Sequence, residues 1–445
     1  MKGPLRAALL LSAACLLAPR KVAAAGAMDV GAQEAVQALG LAPTSSVVVA
    51  APLVSDQPTP SGDDLALRMA ALVAGRIGAS ARAHPQTAAL GPARAIAGRA
   101  SALVYVQTAV SKGDLRTTVD VYPSMGNAWD RIRNPLPSPI GHAFSSVKID
   151  AEVRSFLTPL LLEQASVHRV KHDEPEVIAA ACGDVDGDGG DELVLVSRER
   201  VSMGRIRDDK FVVERTAAWS ELAPRAPVPM REPLAGAVAL AGAVAVGSTD
   251  RGSVSLTADF AGHAPLPGIP AQGLDGLVCL MPEPSAGAFD GAPFDCAVAR
   301  DVKPKMAVPS PRFDAFASET IADSQGNMRA VVAVREPSGR LRLRVGDAQA
   351  FVAEGTVGAA LAVCDLDQDG APEIAAGADS PDDAIDIWTV APDGTALKPR
   401  VHLAAPAGVR ALAVCPPEAH GQPTLVAIVG NEVWLVRASP QGTPP

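Results

Sequence analysis

Two nine-residue runs, DVDGDGGDE from Asp184 to Glu192 and DLDQDGAPE from Asp365 to Glu373, put carboxylates at their first, third, fifth and ninth positions. A chain that turns at the glycine in sixth place brings these side chains and the seventh carbonyl toward one point, the all-oxygen shell a hard divalent cation such as calcium takes. Left without a cation, carboxylates so crowded repel one another and resist ionisation. A bound ion therefore explains a spacing that folding alone disfavours. The bland competitor is a solvated turn, since Asp and Gly dominate tight turns in any case. Finding the run twice in matching apolar frames favours the metal.

An EF-hand shares the opening of this pattern but needs a bidentate Glu at position twelve and a helix on either side. Position twelve is Leu195 in the first run and Ala376 in the second. The first run is flanked by VIAAAC and LVLVS, apolar stretches of strand length. Both runs are thus expected as strand-loop-strand sites.

The DxDxDGxxE pattern after an apolar strand resembles the FG-GAP or VCBS-type repeats of the integrin alpha-subunit β-propeller and its bacterial relatives. The resemblance implies a structural calcium at each loop. In the first, the ligands would be Asp184, Asp186, Asp188, the carbonyl of Gly190, and Glu192. In the second they would be Asp365, Asp367, Asp369, the carbonyl of Ala371, and Glu373. Both loops carry Glu where the family commonly has Asp at the ninth place, and neither keeps a clear Phe-Gly/Gly-Ala-Pro signature.

Other chemistry is sparse. The sequence holds no GxSxG elbow, HExxH, phosphate loop or Gly-rich dinucleotide turn. His168, His172 and Asp173 read as a solvated segment, and Asp382, Asp383 and Asp386 as turn and strand-edge residues. No CxxC or Cys/His spacing suggests zinc. A net charge of −10, aromatic content of 3% and no basic run argue against nucleic acid as a partner.

The elements that must position the loops follow from length and pattern. At 445 residues, two domains are expected. Residues 1–27 read as a signal peptide: Lys2 and Arg6, an apolar stretch too short to span a bilayer, then small residues with cleavage near Ala25 or Ala27. Lipidation at Cys15 is the alternative. No later segment has the length of a membrane helix.

Residues 28–165 read as a small α/β domain of order β-α-β-α-β-β. Its elements are SSVVVAAPL, a helix after Ser61 or Asp63, ASARAHP, a helix over LGPARAIAGRA, and a hairpin of ALVYVQTAV and LRTTVDVYP. NPLPSPIGH reads as a surface loop and VKIDAEVRSFLTPLLLEQA as a closing helix. The order resembles the domain that precedes the propeller in TolB-type periplasmic proteins.

Residues 166–440 read as an all-β propeller with a short tail, 441–445. Apolar segments recur at IAAAC, AVALAG, GLVCL, AVVAV and twice at ALAVC, at spacings that imply about six blades, with five and seven as alternatives. The first blade parses as Val177–Cys182, Leu193–Ser197, Val201–Ile206 and Phe211–Arg215. The last lacks a fourth strand, which Ser166–Val170 would supply as an outer strand tying the ring; otherwise that blade has three strands. Cys182, Cys279, Cys364 and Cys415 are expected at one repeat position on inner strands. Cys279 and Cys296 are the expected disulfide, and an odd thiol remains.

Together these readings describe an exported, non-enzymatic calcium-binding propeller. It would be periplasmic, outer-membrane-associated or secreted, and would meet a protein or cell-envelope component. The competing expectation is a propeller hydrolase or lyase with its site at the central channel, which requires His, carboxylate or Arg groups to converge there.

Overall fold

The computed structural model describes residues 26–40, 45–55, 59–98, 100–123, 138–223, 230, 232–283, 286–297, 305–323, 327–347, 350–378, 380, 382–390, 396–416 and 422–440. Residues 1–25 of the expected leader, Cys15 among them, and the tail 441–445 lie outside the described residues, while Ala27, the last residue of that expected leader, opens a helix. Among those described, no helix is long and apolar enough to cross a membrane.

The chain opens with helix α1 (Ala27–Leu39), followed by β1 (Ser46–Ala50), β2 (Val54–Ser55), α2 (Gly62–Ile77), β3 (Ala81–Ala83), α3 (Leu90–Ala97), β4 (Ala102–Ser111), β5 (Asp114–Pro123) and β6 (Gly141–Lys148). These strands form one sheet of order β3-β1-β4-β5-β6, with β2 beside the end of β4. β1 pairs in parallel with β3 and β4, whereas β4, β5 and β6 form an antiparallel meander. Met28, Ala32 and Ala35 of α1, and Leu65, Met69 and Val73 of α2, pack on one face. Ala93 and Ala97 of α3 cover part of the other, against Leu103, Tyr105 and Tyr122. Ser61 sits at the N-cap of α2 without a side-chain capping bond, while Asp63 and Asp64 occupy the first turn, where the helix dipole favours acids.

Two sequence expectations fail here. The GHAFSSVK segment is the edge strand β6, so the meander has a third member. The expected closing helix is reduced to α4 (Ala151–Arg154), and the run that follows it is β7 (Leu160–Lys171). Leu, Glu and Gln favour a helix locally, but tertiary pairing prevails: β7 runs antiparallel to β31 (Glu432–Pro440), with Val170 opposite Val433 and Val167 opposite Val436. The tie between distant parts of the chain is therefore present, and it begins upstream of Ser166.

Between these two strands the chain forms successive antiparallel sheets. β8 (Val177–Gly183), β9 (Glu192–Ser197), β10 (Arg200–Arg207) and β11 (Lys210–Ala218) make the first, close to the strands parsed from sequence, and α5 (Trp219–Leu222) follows. Next come β12 (Ala235–Leu240), β13 (Ala243–Ser248), β14 (Gly252–Thr257) and β15 (His263–Pro265). The pair β16 (Ile269–Gly273) and β17 (Gly276–Leu280) is accompanied by a small sheet of β18 (Pro282–Glu283), β19 (Ala288–Asp290) and β20 (Arg312–Phe313). Then follow β21 (Ala315–Ala322), β22 (Met328–Arg335), β23 (Leu341–Val345) and β24 (Phe351–Val352). The next sheet holds β25 (Leu361–Cys364), β26 (Glu373–Gly377), β27 (Ala384–Val390) and β28 (Leu397–Ala404). β29 (Val409–Cys415) and β30 (Thr424–Val429) join β31 and β7 in the last, which the single parallel pair Lys171–Lys210 between β7 and β11 makes continuous with the first as eight strands.

The first strands of these sheets pack side by side in the order β8, β12, β16, β21, β25, β29, and β29 returns against β8. This arrangement is a β-propeller. Apolar cores lie between neighbouring sheets: Val194, Val196 and Met203 pack with Val244 and Val246, and Leu195 and Phe211 with Val426 and Ile428. Small residues permit the approach of the first strands. A Cβ on Gly236 of β12 would stand 2.0 Å from the carbonyl oxygen of Pro270 on β16.

A disulfide joins Cys182 on β8 to Cys415 on β29, across the seam where the ring meets itself. A second joins Cys279 to Cys296, and Cys364 is a buried free thiol. The expected equivalence of four cysteines needs correction. Cys182, Cys364 and Cys415 lie on first strands, but Cys279 lies on β17, the second strand of its pair, and the AVVAV segment is likewise a second strand, β22. Second strands are sandwiched between sheets and so carry the strongest apolar runs, whereas β16 and β21 face the channel with small and polar residues. His172 also departs from expectation: it is buried, not solvated.

Candidate metal centre

Each acidic run follows a first strand and precedes a second one, β8 to β9 and β25 to β26. The turns are alike in detail. Gly189 and Gly370, in sixth place, have φ of 86° and 85°, and the fourth residues Gly187 and Gln368 also lie in the left-handed region at 79° and 56°. Such backbone suits glycine and strains other residues, so Gln368 is held there by its surroundings.

The acids fold the turn on itself. Asp184 accepts from the N–H groups of Gly187 at 2.8 Å and Gly189 at 3.0 Å, and Asp365 accepts from Gly370 at 3.1 Å. The ninth-place glutamates, both fully buried, turn one oxygen back on the loop: Glu192 accepts from Val185 at 2.7 Å and Glu373 from Leu366 at 2.8 Å.

The structure gathers oxygens of Asp184, Asp186 and Glu192 within 4.8 Å of one another, and likewise those of Asp365, Asp367 and Glu373. The other predicted ligands stand outside these groups. Asp188 accepts from its own loop at Gly190 and from Arg205, and Asp369 accepts from the N–H of Ala371 at 2.7 Å. For Gly190 and Ala371 it is thus the amide N–H that binds within the loop, each to the fifth-place Asp.

Sequence reasoning missed the arginines. Arg205 on β10 donates to Glu192 Oε1 at 2.5 Å, to Asp188 Oδ2 at 2.7 Å and to Asp186 Oδ1 at 3.1 Å. Arg400 on β28 lies 2.7 Å from Asp367 Oδ2 and 3.5 Å from Glu373 Oε1, and also donates to Glu163 of β7 at 2.7 Å. Arg154 of α4 approaches Asp365 Oδ2 to 3.7 Å. The only sequence signal for Arg205 was its alternation on a strand adjoining Glu192; Arg400 and Arg154 are brought in from distant elements.

Electrostatics differ between the loops. In the first, hydrogen bonds from Arg205 hold the Asp188 carboxyl below its ordinary range. In the second, burial leads: it pushes Asp365 up to about 7 and Asp367 up to about 6, with neighbouring carboxylates adding to both. Glu373 is raised well above its ordinary value for the same reasons. Asp365 Oδ1 is buried and accepts no hydrogen bond among the described residues.

The donor set fits a hard divalent cation: only oxygens, several carboxylates per loop, and in the second loop a buried oxygen awaiting a partner. Both loops also already hold a guanidinium against part of that set. A third group, Cys182, Cys415 and Asp191, is ruled out as a site because its sulfurs are bonded to each other.

A cavity of about 610 Å³ runs between the first strands of the ring. Its wall is largely alanine and glycine, including Ala180, Ala237, Ala271, Ala317, Ala362 and Ala413. Polar groups reach it from Asp184, Gln272, Asp314, Ser318, Glu319 and Arg410. Five of them are engaged: Asp184 within its loop, Gln272 donating to the carbonyl of Gly273 at 3.2 Å, Asp314 accepting from Arg335 at 2.5 Å, Ser318 donating to the carbonyl of Gln272 at 2.7 Å, and Glu319 accepting from the N–H of Thr320 at 3.0 Å.

No protein-family model and no curated protein sequence matches the chain. Among solved structures, it is similar to the WD40 repeats of RRP9, with 11% identity over 76% of this chain and 91% of that one, at a TM-score of 0.35. It is similar also to the β-propeller domain of Myceliophteria thermophila Cps50 (Swd1), with 12% identity over 74% and 95% of the two chains and a TM-score of 0.33. AofleA from Arthrobotrys oligospora matches with 10% identity over 63% and 88%, at 0.35. At such scores the likeness carries no weight, and the propeller rests on its own sheets.

Proposed function

We propose that the chain is an exported, non-enzymatic scaffold: a six-bladed propeller braced by structural calcium, presenting its surfaces to a protein or cell-envelope partner. The N-terminal α/β unit, residues 28–165, acts as a second contact module. What carries this reading is the matched pair of acidic loops, each closing a first strand onto a second with the same glycine geometry and the same buried glutamate. In the first loop Asp184, Asp186 and Glu192 would hold the ion, and in the second Asp365, Asp367 and Glu373. The ion would supply positive charge that offsets the mutual repulsion of these acids.

Three further observations support it. Six first strands succeed one another around the ring. Two disulfides suit an oxidising compartment, where calcium is plentiful enough to fill even sites of about 0.1–1 mM affinity. The channel wall is mainly small and apolar. A hydrolase or lyase in this channel would have to draw on Asp184, Asp314, Glu319 and Arg410, and of these Asp184 is bound to its own loop and Asp314 to Arg335. Ser318 is already committed to Gln272.

Equilibrium dialysis against about 10 mM CaCl2, followed by metal analysis, tests the calcium reading; about two ions per chain are expected. Asp184→Asn and Asp365→Asn should each remove one. Retention of fewer than about half an ion by the wild type would overturn it.

A further inference from the structure

We propose that Arg205 and Arg400 are resident counter-ions of the two acidic loops, so that calcium must displace a guanidinium to enter and the arginines set the affinity of each site. This rests on the calcium reading above and assigns a role to residues outside the acidic motif.

The geometry is direct. Arg205 reaches Asp186, Asp188 and Glu192, and Arg400 reaches Asp367 and Glu373. Apart from Asp188, these are the carboxylates the structure gathers as candidate ligands. An oxygen lone pair spent on an N–H is withheld from a cation, and two positive charges cannot share the same small cluster without repelling each other.

The placement of Arg205 follows from strand register. Gly204 pairs with Leu193, which sets Arg205 across from Glu192, the first residue of β9. The last sheet repeats this. Val436 pairs with Leu425, setting Arg437 across from Thr424, the first residue of β30, and Arg437 donates to Thr424 Oγ1 at 2.8 Å. An arginine thus recurs at this position of the repeat with a hydroxyl as its hydrogen-bond partner, and there too a carboxylate, Asp191, lies close enough to act on it. In the fifth sheet the corresponding residue is Thr389, opposite Glu373, and Arg400 from the neighbouring β28 supplies the charge instead. Two different strands deliver a guanidinium to the same point of the loop.

Titration of the full exported chain, stripped with chelator, by CaCl2 in a calorimeter tests this. In Arg205→Gln and Arg400→Gln, one site should bind at least about tenfold more tightly than in wild type, equivalent to about 1.4 kcal/mol. Each metal-free variant should also melt below metal-free wild type. Lysine keeps a charge but lacks the planar fork, so R205K and R400K should fall between, and they give the same reading if a glutamine variant fails to fold. If wild type binds calcium and the variants bind within threefold of it or more weakly, the counter-ion proposal is wrong while the calcium reading stands. Binding by the variants alone would support the proposal in its strongest form. Binding by none of the proteins would overturn both.

Discussion

The bond between Cys182 and Cys415 spans 233 residues and joins the first strand of the first sheet to the first strand of the last, whereas Cys279–Cys296 closes only 17. If a disulfide acts mainly by restricting the unfolded chain, the longer loop stabilises by roughly 5 kcal/mol and the shorter by about 3. Replacing both members of each pair by serine separates the two: Cys182→Ser with Cys415→Ser should lose about 2 kcal/mol more than Cys279→Ser with Cys296→Ser. For an m-value of about 3 kcal/mol/M in urea, the first variant's midpoint falls by roughly 1.5 M and the second's by about 1 M. Urea unfolding followed by tryptophan fluorescence reads this, since Trp434 lies on β31 beside the seam. Equal shifts in the two variants, or a larger one for the local pair, would refute the view that the seam bond restrains ring opening.

Three other outcomes follow from burial and close approach. Leu162 of β7 is fully buried against Trp434, Val436 and Ala438, so Leu162→Ala should cost about 2–5 kcal/mol in thermal or urea melts if the strand tie holds the ring. Gly236→Ala should destabilise by about 1–3 kcal/mol or prevent folding, because its Cβ would meet the Pro270 carbonyl; an unchanged melt would mean the first strands are not that close. His172 is buried, with its Nδ1 accepting from Glu174 at 3.2 Å, and burial pushes its pKa below the ordinary 6.5, partly opposed by Glu174 and Asp173. The unfolded chain then binds the proton more readily, so this histidine costs stability as pH falls through about 6.5. Stability measured between about pH 7 and pH 5 should decline less steeply in His172→Gln than in wild type.

Much of the ring was legible because second strands, buried on both faces, carry apolar runs such as LVLV and AVVAV that periodicity detects. The first strands were harder to read. Where they are alanine-rich and followed by an acidic loop, as at Cys182 and Cys364, the loop marks them. At β16 and β21 the channel accepts glutamine, serine and glutamate, and their second strands were read in their place. Helix α1 was not read from its Ala-rich sequence, and β7 lay in a Leu-Glu-Gln run with helical propensity; the helix packs on α2, β5 and β6 and the strand pairs with β31, long-range contacts that local patterns do not encode. The clustering of acids in the two loops was legible from spacing. Arg205, Arg400 and Arg154 were not, because their relation to the acids is made by the register between strands and by the return of α4 and β7 against the ring. The Cys182–Cys415 bond was missed for the same reason: it joins sheets 233 residues apart.

The central claim is that calcium braces the ring, and thermal melting of one preparation with excess chelator and with CaCl2 near 100 times the dissociation constant tests it most directly. Occupancy at that level stabilises by about 2.7 kcal/mol per site, enough to raise the melting temperature by roughly 5–10 °C. Identical melting temperatures in chelator and in calcium would contradict the account.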